Sequence, residues 1–195
     1  MGCSAAHQSL DVGDMKIETK LRTLGPVNHS DLKAAVCGIH EDAWLEDTIR
    51  QQEFKDVHYS TRSIILLFTD LSVWPSIKVN KRKGWDYFAN QAQPLVEEII
   101  GKHYPPRGVV MRAMIANLVA GGQITPHIDT DPSFAVGHRI HIPLITNDQV
   151  DFKIGGEHFH LREGVAYEVN NLEMHSVHNR SDHDRLHFIF DYAEL

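Results

Sequence analysis

The spacing of apolar residues in the first half of the chain predicts helices. After Ser30, a residue type that caps helix N-termini, apolar side chains recur at the i, i+3, i+4 and i+7 positions of one helical face. These positions are Leu32, Ala35, Val36 and Ile39. The pattern predicts a short amphipathic helix, whereas the continuous apolar run at 63–68 predicts a buried strand.

A second helical pattern covers residues 85–100. Its apolar residues keep helical spacing, and Gly101 is of a type that often ends helices. Pro94 lies inside this stretch, where its ring and its missing N–H disfavour a straight helix. The sequence therefore predicts two helices or one kinked helix, and the proline-rich segment 104–108 then breaks the chain.

Beyond residue 108 the pattern changes to short apolar runs separated by Gly, Asn and Asp. Gly155 and Gly156 stand between two such runs, which is a signal for a two-residue β-hairpin. Strands are predicted near 109–119, 123–127, 138–146, 149–154, 157–161, 165–169, 175–178 and 185–192. This even spacing favours a mainly β jelly-roll or barrel, with the N-terminal helices and strand buttressing one face.

Length and composition are those of one globular domain. The 195 residues are predicted to form a single domain over 1–195, with 109–192 as its β-barrel core and 1–13 disordered. The formal charge of −7 disfavours nucleic acid as a partner. A cluster of four cations at 78–84 is expected either to be a solvated loop or to steer an anionic substrate.

Cysteine usage and hydropathy indicate where the protein works. Cys3 and Cys37 are too few for a disulfide framework, so a reducing, cytoplasmic location is expected. No run of 18 apolar residues and no apolar secretory region is visible, so no membrane association is expected. The sequence leaves the oligomeric state open.

Histidine is abundant, and one short motif suggests why. Ten of the 14 histidines lie from His103 onward, which hints at metal chemistry. On an extended segment, side chains two residues apart point the same way, so His127 and Asp129 could bind one ion. Together with a distant histidine, His-x-Asp forms the facial triad of non-haem Fe(II) oxygenases, which leaves three coordination positions open. By itself the motif is weak, because a loop carboxylate that hydrogen-bonds a histidine has the same appearance.

The third ligand must come from another strand. His175 and His178 are the candidates; being three residues apart on a strand, they face opposite sides, and we favour His175. Arg185 follows ten residues after His175 and opens a strand-like run. A buried arginine there needs a carboxylate partner. Its guanidinium fork suits a terminal carboxylate such as that of 2-oxoglutarate.

Three segments resemble the aspartyl/asparaginyl β-hydroxylase family, which also includes cis-specific proline hydroxylases acting on the free amino acid. They are residues 126–129, 137–144 and 175–191. The resemblance covers about 109–192 and implies a double-stranded β-helix (cupin-like) fold with Fe(II), 2-oxoglutarate and O2 as cofactors. It also implies that the metal ligands are His127, Asp129 and His175.

The resemblance extends to residues around the cosubstrate. Arg185 matches the arginine that binds the C5 carboxylate of 2-oxoglutarate. Arg139 and His141 match an Arg-x-His motif near the cosubstrate or substrate carboxylate. Asn117, on the strand before a Gly-Gly turn, is a further candidate contact to 2-oxoglutarate. Asp129 departs from the mammalian aspartyl hydroxylase, which has glycine there, and a carboxylate at this position argues against halogenation.

The sequence thus predicts an Fe(II)- and 2-oxoglutarate-dependent dioxygenase. It is expected to hydroxylate an unactivated C–H bond of an amino acid or amino-acid-derived small molecule, with succinate and CO2 as co-products. Peptides and natural products also stay open as substrates. The alternatives are a peptidyl Asp/Asn β-hydroxylase, a zinc hydrolase with the same ligands, a cupin-like binding protein without turnover, and an oxygenase whose product is not an alcohol.

Overall fold

The computed structural model describes residues 17–48, 57 and 59–195. Their strands are β1 (Leu21–Pro26), β2 (Thr61–Thr69), β3 (Val79–Lys81), β4 (Gly108–Leu118), β5 (Gln123–His127), β6 (His138–Ile145), β7 (Val150–Ile154), β8 (Glu157–Phe159), β9 (Val165–Val169), β10 (His175–Asn179) and β11 (Arg185–Glu194). These strands form two antiparallel sheets, one of seven strands in the order β1-β9-β6-β11-β4-β2-β3 and one of four in the order β5-β10-β7-β8.

Both faces of the larger sheet are buried. Side chains alternate between these two faces along the central strands. On one face Ile115, Phe188 and Phe190 belong to the main hydrophobic core, which the helices cover. On the other face Met114 and Ile189 line a cavity that residues of the smaller sheet close from the opposite side. Two facing antiparallel sheets, with helices on one outer face, confirm the predicted double-stranded β-helix.

Two helices, α1 (Ser30–Cys37) and α2 (Lys83–His103), lie on the outer face of the larger sheet. The short helix α3 (Pro132–Val136) lies beside the cavity instead, and 3-10 turns form at Glu41–Trp44 and Leu71–Val73. Helix α2 runs without interruption through Pro94 and Gly101, so the predicted end at Gly101 is wrong. Its buried stripe, which includes Phe88, Leu95 and Ile99, packs in the main core. This packing opposes the local cost of the proline.

The strand predictions agree closely with the structure. Strands β5 and β9 have the predicted bounds, and the other predicted strands differ by at most two residues at either end. Gly155 and Gly156 form the predicted hairpin turn with φ of 54° and 81°, a left-handed conformation that glycine adopts without strain. The sequence patterns missed three short elements, β1, β3 and α3.

The basic segment 78–84 has three solvent-exposed lysines, as predicted, but it forms β3 and the start of α2 rather than a loop. Lys78 contacts Asp70 at 3.1 Å and Arg82 contacts Asp47 at 2.7 Å. None of the segment lines the cavity between the sheets. The predicted disorder at 1–13 lies outside the described residues.

Among the described residues, no helix combines the length and the apolar character that a membrane span requires.

Candidate metal centre and active-site pocket

The two histidines of the predicted triad meet across neighbouring strands. His127 ends β5 and His175 begins β10, and the two residues are direct partners in the antiparallel register. Cross-strand partners place their side chains on the same face, and the two imidazole ring centres are 4.2 Å apart. Asp129 follows two residues after His127, and one ligand atom from each of the three residues lies within 4.8 Å of the others.

His178 lies elsewhere. It pairs with Gln123 and Asp151 in the strand register. It is not among the described residues that cluster as possible ligands. Strand alternation turns it away from the side occupied by His175.

Both histidines are oriented by the same local contact. His127 Nδ1 lies 2.8 Å from the carbonyl oxygen of Thr125, and His175 Nδ1 lies 2.9 Å from that of Glu173. Donation from Nδ1–H to these carbonyls leaves Nε2 with its lone pair for a metal ion. Burial lowers the pKa of His175 to about 4, against the opposing effect of Asp129, so this imidazole is neutral at pH 7.

Asp129 is held by three contacts. Its Oδ2 accepts hydrogen bonds from Asn171 Nδ2 at 2.8 Å and from Arg139 Nη1 at 2.5 Å, and its backbone N–H donates to the Asn171 carbonyl at 3.1 Å. Burial by itself would raise the pKa of Asp129, but the Arg139 charge and its other contacts outweigh burial and lower it. The carboxylate is therefore ionised at neutral pH. Its Oδ1 is 3.7 Å from His127 Nε2.

Arg139 links Asp129 to a second carboxylate. Its Nε and Nη2 donate to the two oxygens of Asp191 at 2.8 and 2.9 Å, while Nη1 donates to Asp129. Such a bidentate pair restricts the guanidinium strongly. Arg139 borders the cavity, but these contacts give it the immediate task of orienting Asp129. Its predicted contact with a cosubstrate or substrate carboxylate stays a prediction.

The role of Asn171 was not identified from the sequence. Its contribution to Fe(II) binding can be measured by comparison with the neighbouring Asn170. Asn171→Ala is expected to weaken Fe(II) binding roughly 10- to 100-fold, the usual effect of losing a group that orients a metal ligand. Asn170→Ala is the matched control, because the Asn170 amide instead donates to the backbone of Ile17. Fe(II) titration under anaerobic conditions measures both variants. Equal affinities in the two variants would contradict the assigned role.

A cavity of about 400 Å³ lies between the sheets, and the triad lines it. Arg185, at the start of β11, lines the same cavity and is 2% exposed. Beside it, the Nδ1 atoms of His141 and His187 are 3.3 Å apart. Burial lowers the pKa of both imidazoles and the Arg185 charge lowers it further. Arg185 therefore lies beside two neutral imidazoles, of which His141 lines the cavity.

Asn117 lies on β4 and borders the cavity. Its register partners are Arg62 and Leu186, and Leu186 belongs to the core on the helix-covered face. Its amide donates to Asp184 Oδ2 at 2.7 Å. Its predicted contact with 2-oxoglutarate stays a prediction.

Another arginine in the cavity was missed altogether. Arg112 lies on β4 directly opposite Asp191 and is 2% exposed. Its Nη2 donates to Ser133 Oγ at 2.6 Å, in the short helix α3 that Asp131 caps. A charged residue inside the apolar run 109–119 was the available sequence signal.

Comparisons with known proteins agree with this geometry. The family model described as Aspartyl/Asparaginyl beta-hydroxylase matches residues 34–194. The non-heme monooxygenase ThoJ, solved as a nickel complex, has a TM-score of 0.57 and 15% identity over 94% of this chain and 77% of that one. The viral collagen prolyl hydroxylase vCPH from Paramecium Bursaria Chlorella virus-1, solved as a 2OG complex, has a TM-score of 0.50 and 8% identity over 91% and 98%. At these identities the two likenesses concern the fold alone. None of the curated proteins compared with the chain matches it in sequence.

Proposed function

Because the chain belongs to the aspartyl/asparaginyl β-hydroxylase family, we propose that it hydroxylates an unactivated C–H bond of an amino acid or amino-acid-derived small molecule. The chain is a 2-oxoglutarate-dependent non-haem iron dioxygenase with Fe(II), 2-oxoglutarate and O2 as cofactors. When bound, these cofactors put one oxygen atom of O2 into the C–H bond and the other into succinate, with release of CO2. We assign Fe(II) to His127, Asp129 and His175.

The donor set fits this ion. Two imidazole nitrogens and one ionised carboxylate oxygen converge within 4.8 Å, which is the ligand combination of non-haem Fe(II) oxygenases. The single observation that carries the proposal is the direct register pairing of His127 with His175. Hydrogen bonds from Nδ1 to backbone carbonyls orient both rings and leave each Nε2 free to bind a metal ion. These contacts support a ligand arrangement that exists before the ion binds.

We assign the far carboxylate of 2-oxoglutarate to Arg185. This arginine is buried in the same cavity as the triad, where low solvent access strengthens an ion pair. Its planar fork matches a carboxylate with two parallel hydrogen bonds. His141 and His187 beside it are neutral, so they provide polar contact without adding charge. Arg185 then fixes the orientation of the cosubstrate, and orientation is a main contribution of the protein to such reactions.

Cavity size and lining favour a small substrate. A volume of about 400 Å³ is near the lower end of the range for ligand sites, and the cosubstrate must share it. Apolar side chains make up much of the remaining wall, among them Phe68, Leu71, Met114, Phe134 and Ile189. A free amino acid suits this space better than a folded peptide segment.

The low cysteine count, with Cys37 exposed as a free thiol, supports our placing the enzyme in the reducing cytoplasm.

Succinate release and product mass test the proposed function together. Full-length protein with Fe(II), 2-oxoglutarate and air should release succinate. With a panel of free amino acids and short peptides, one amino acid should gain the mass of one oxygen atom. Protein loaded with Zn(II) and protein treated with a chelator are the controls. If the Zn(II)-loaded protein hydrolyses a compound of the panel and has no affinity for 2-oxoglutarate, the protein is a zinc hydrolase. Binding of metal and 2-oxoglutarate without succinate release would indicate a non-catalytic cupin-like protein.

A further inference from the structure

Arg112 and Arg185 face one cavity from opposite ends of the same pair of strands. Arg185 pairs with Leu118 and Asp191 pairs with Arg112 in the β11–β4 register. The six residue steps from position 185 to position 191 correspond to about 20 Å of extended backbone. Both arginines line the cavity. Because their backbones lie this far apart, the two arginines can bind different carboxylates.

One nitrogen of the Arg112 guanidinium lacks a hydrogen-bond partner among the described residues. Its Nη2 donates to Ser133 Oγ at 2.6 Å. Its Nη1 is buried and has no hydrogen-bond partner among the described residues. The nearest carboxylate oxygens, on Asp191 and Asp131, are 3.6 and 3.7 Å from the guanidinium nitrogens, beyond ordinary hydrogen-bond length. Leaving a buried charged donor unsatisfied is costly, so such a group commonly has a functional explanation.

Aromatic rings hold this guanidinium in place. Its central carbon is 4.3 Å from the centre of the Phe134 ring and 5.5 Å from that of Phe68. The Arg139 guanidinium lies 4.5 Å from the same Phe134 ring. Contact between a ring and a guanidinium leaves the in-plane N–H groups available for a planar acceptor such as a carboxylate.

We propose that Arg112 binds the carboxylate of the organic substrate, while Arg185 is reserved for 2-oxoglutarate. The substrate's apolar portion then lies along Met114, Ile189 and Phe134, which line the cavity together with the metal ligands. This assignment rests on the proposed function and adds a specificity determinant to it. It excludes amides and esters that lack the negative charge. The competing explanation is that Arg112 only fastens α3 to the sheet through Ser133.

Binding of acid and amide pairs separates the two explanations. Anaerobic full-length protein loaded with Fe(II) and 2-oxoglutarate is titrated with L-leucine, L-leucinamide, L-proline and L-prolinamide, and the dissociation constants are measured by calorimetry. In the parent, at least one acid should bind tenfold or more tightly than its amide, roughly the effect of one charge-assisted bond. Arg112→Gln should bring this ratio close to one. Arg180→Gln, which alters an exposed arginine paired with Asp151, should leave it unchanged.

The ratio is measured within each variant, so a general loss of stability does not imitate the expected result. If Arg112→Gln fails to fold, as judged by thermal unfolding, Arg112→Lys decides: it keeps the charge without the fork and should reduce the ratio severalfold. An acid preference equal to the parent's in either folded variant overturns the proposal. So does a parent that binds 2-oxoglutarate but shows no acid preference. A parent that binds no 2-oxoglutarate and releases no succinate instead refutes the proposed function.

Discussion

Alanine in place of His175 is expected to lower Fe(II)-dependent succinate release by more than about 100-fold. Loss of a residue that merely orients a ligand typically costs 10- to 100-fold, and loss of the ligand itself should cost more. His175 lies directly opposite His127 in the strand pair, and no other residue of β10 pairs with His127. No other side chain of β10 can therefore take its place as a metal ligand. Succinate release and Fe(II) affinity should therefore fall together, and both are measured on the same preparation.

His178→Ala is the matched control for this experiment. It removes the same side chain from the same strand, three residues away, on the side that does not face His127. Activity within about twofold of the parent is expected, because exposed or half-exposed substitutions away from the site have small effects. A large loss in His178→Ala with an active His175→Ala would mean that the wrong histidine has been assigned to the metal.

Replacement of Arg185 by glutamine is expected to weaken 2-oxoglutarate binding roughly 100-fold. Truncating one partner of a buried, hydrogen-bonded charge pair costs about 2–5 kcal/mol, and about 3 kcal/mol corresponds to this factor. The site is 2% exposed, so water cannot readily replace the lost donors. Measurement of the 2-oxoglutarate dissociation constant without oxygen separates binding from turnover.

A change in the cosubstrate tests the same contact from the other side. 2-Oxopentanoate keeps the keto acid end of 2-oxoglutarate but lacks the distant carboxylate. The parent should strongly prefer 2-oxoglutarate, whereas Arg185→Gln should bind the two compounds about equally. A variant that retains the parent's preference would show that another residue recognises this carboxylate. Arg22→Gln, a substitution of a partly exposed arginine on β1, controls for the loss of charge.

A continuous polar network links Arg112 to the metal ligand Asp129. Asp129 contacts Arg139, Arg139 contacts Asp191, and Asp191 lies beside Arg112. A ligand that displaces Arg112 would therefore act on the contact that orients a metal ligand. This connection gives a physical route by which substrate occupancy and the metal centre can affect each other, and the Arg112 variants probe it directly.

Local patterns were sufficient to predict much of the β architecture. Strands β5 and β9 coincide with the predicted ranges because short apolar runs bounded by turn residues have few alternative structures. The pairing of His127 with Asp129 also followed from the chain alone, since two residues of separation in an extended segment set a common direction. The helix through Pro94 was not predictable in the same way, because tertiary packing outweighed a local penalty.

By itself, therefore, the sequence determined the strands other than β1 and β3, the His-x-Asp pair and the fact that His175 and His178 cannot share one ion. Only the tertiary structure decided which histidine faces His127, because strand register is a long-range property. It also decided that the Asn117 amide, on β4, contacts Asp184. Strand β4 is buried on both faces, so its sequence lacks the polar and apolar alternation that would distinguish the interior face from the helix-covered one.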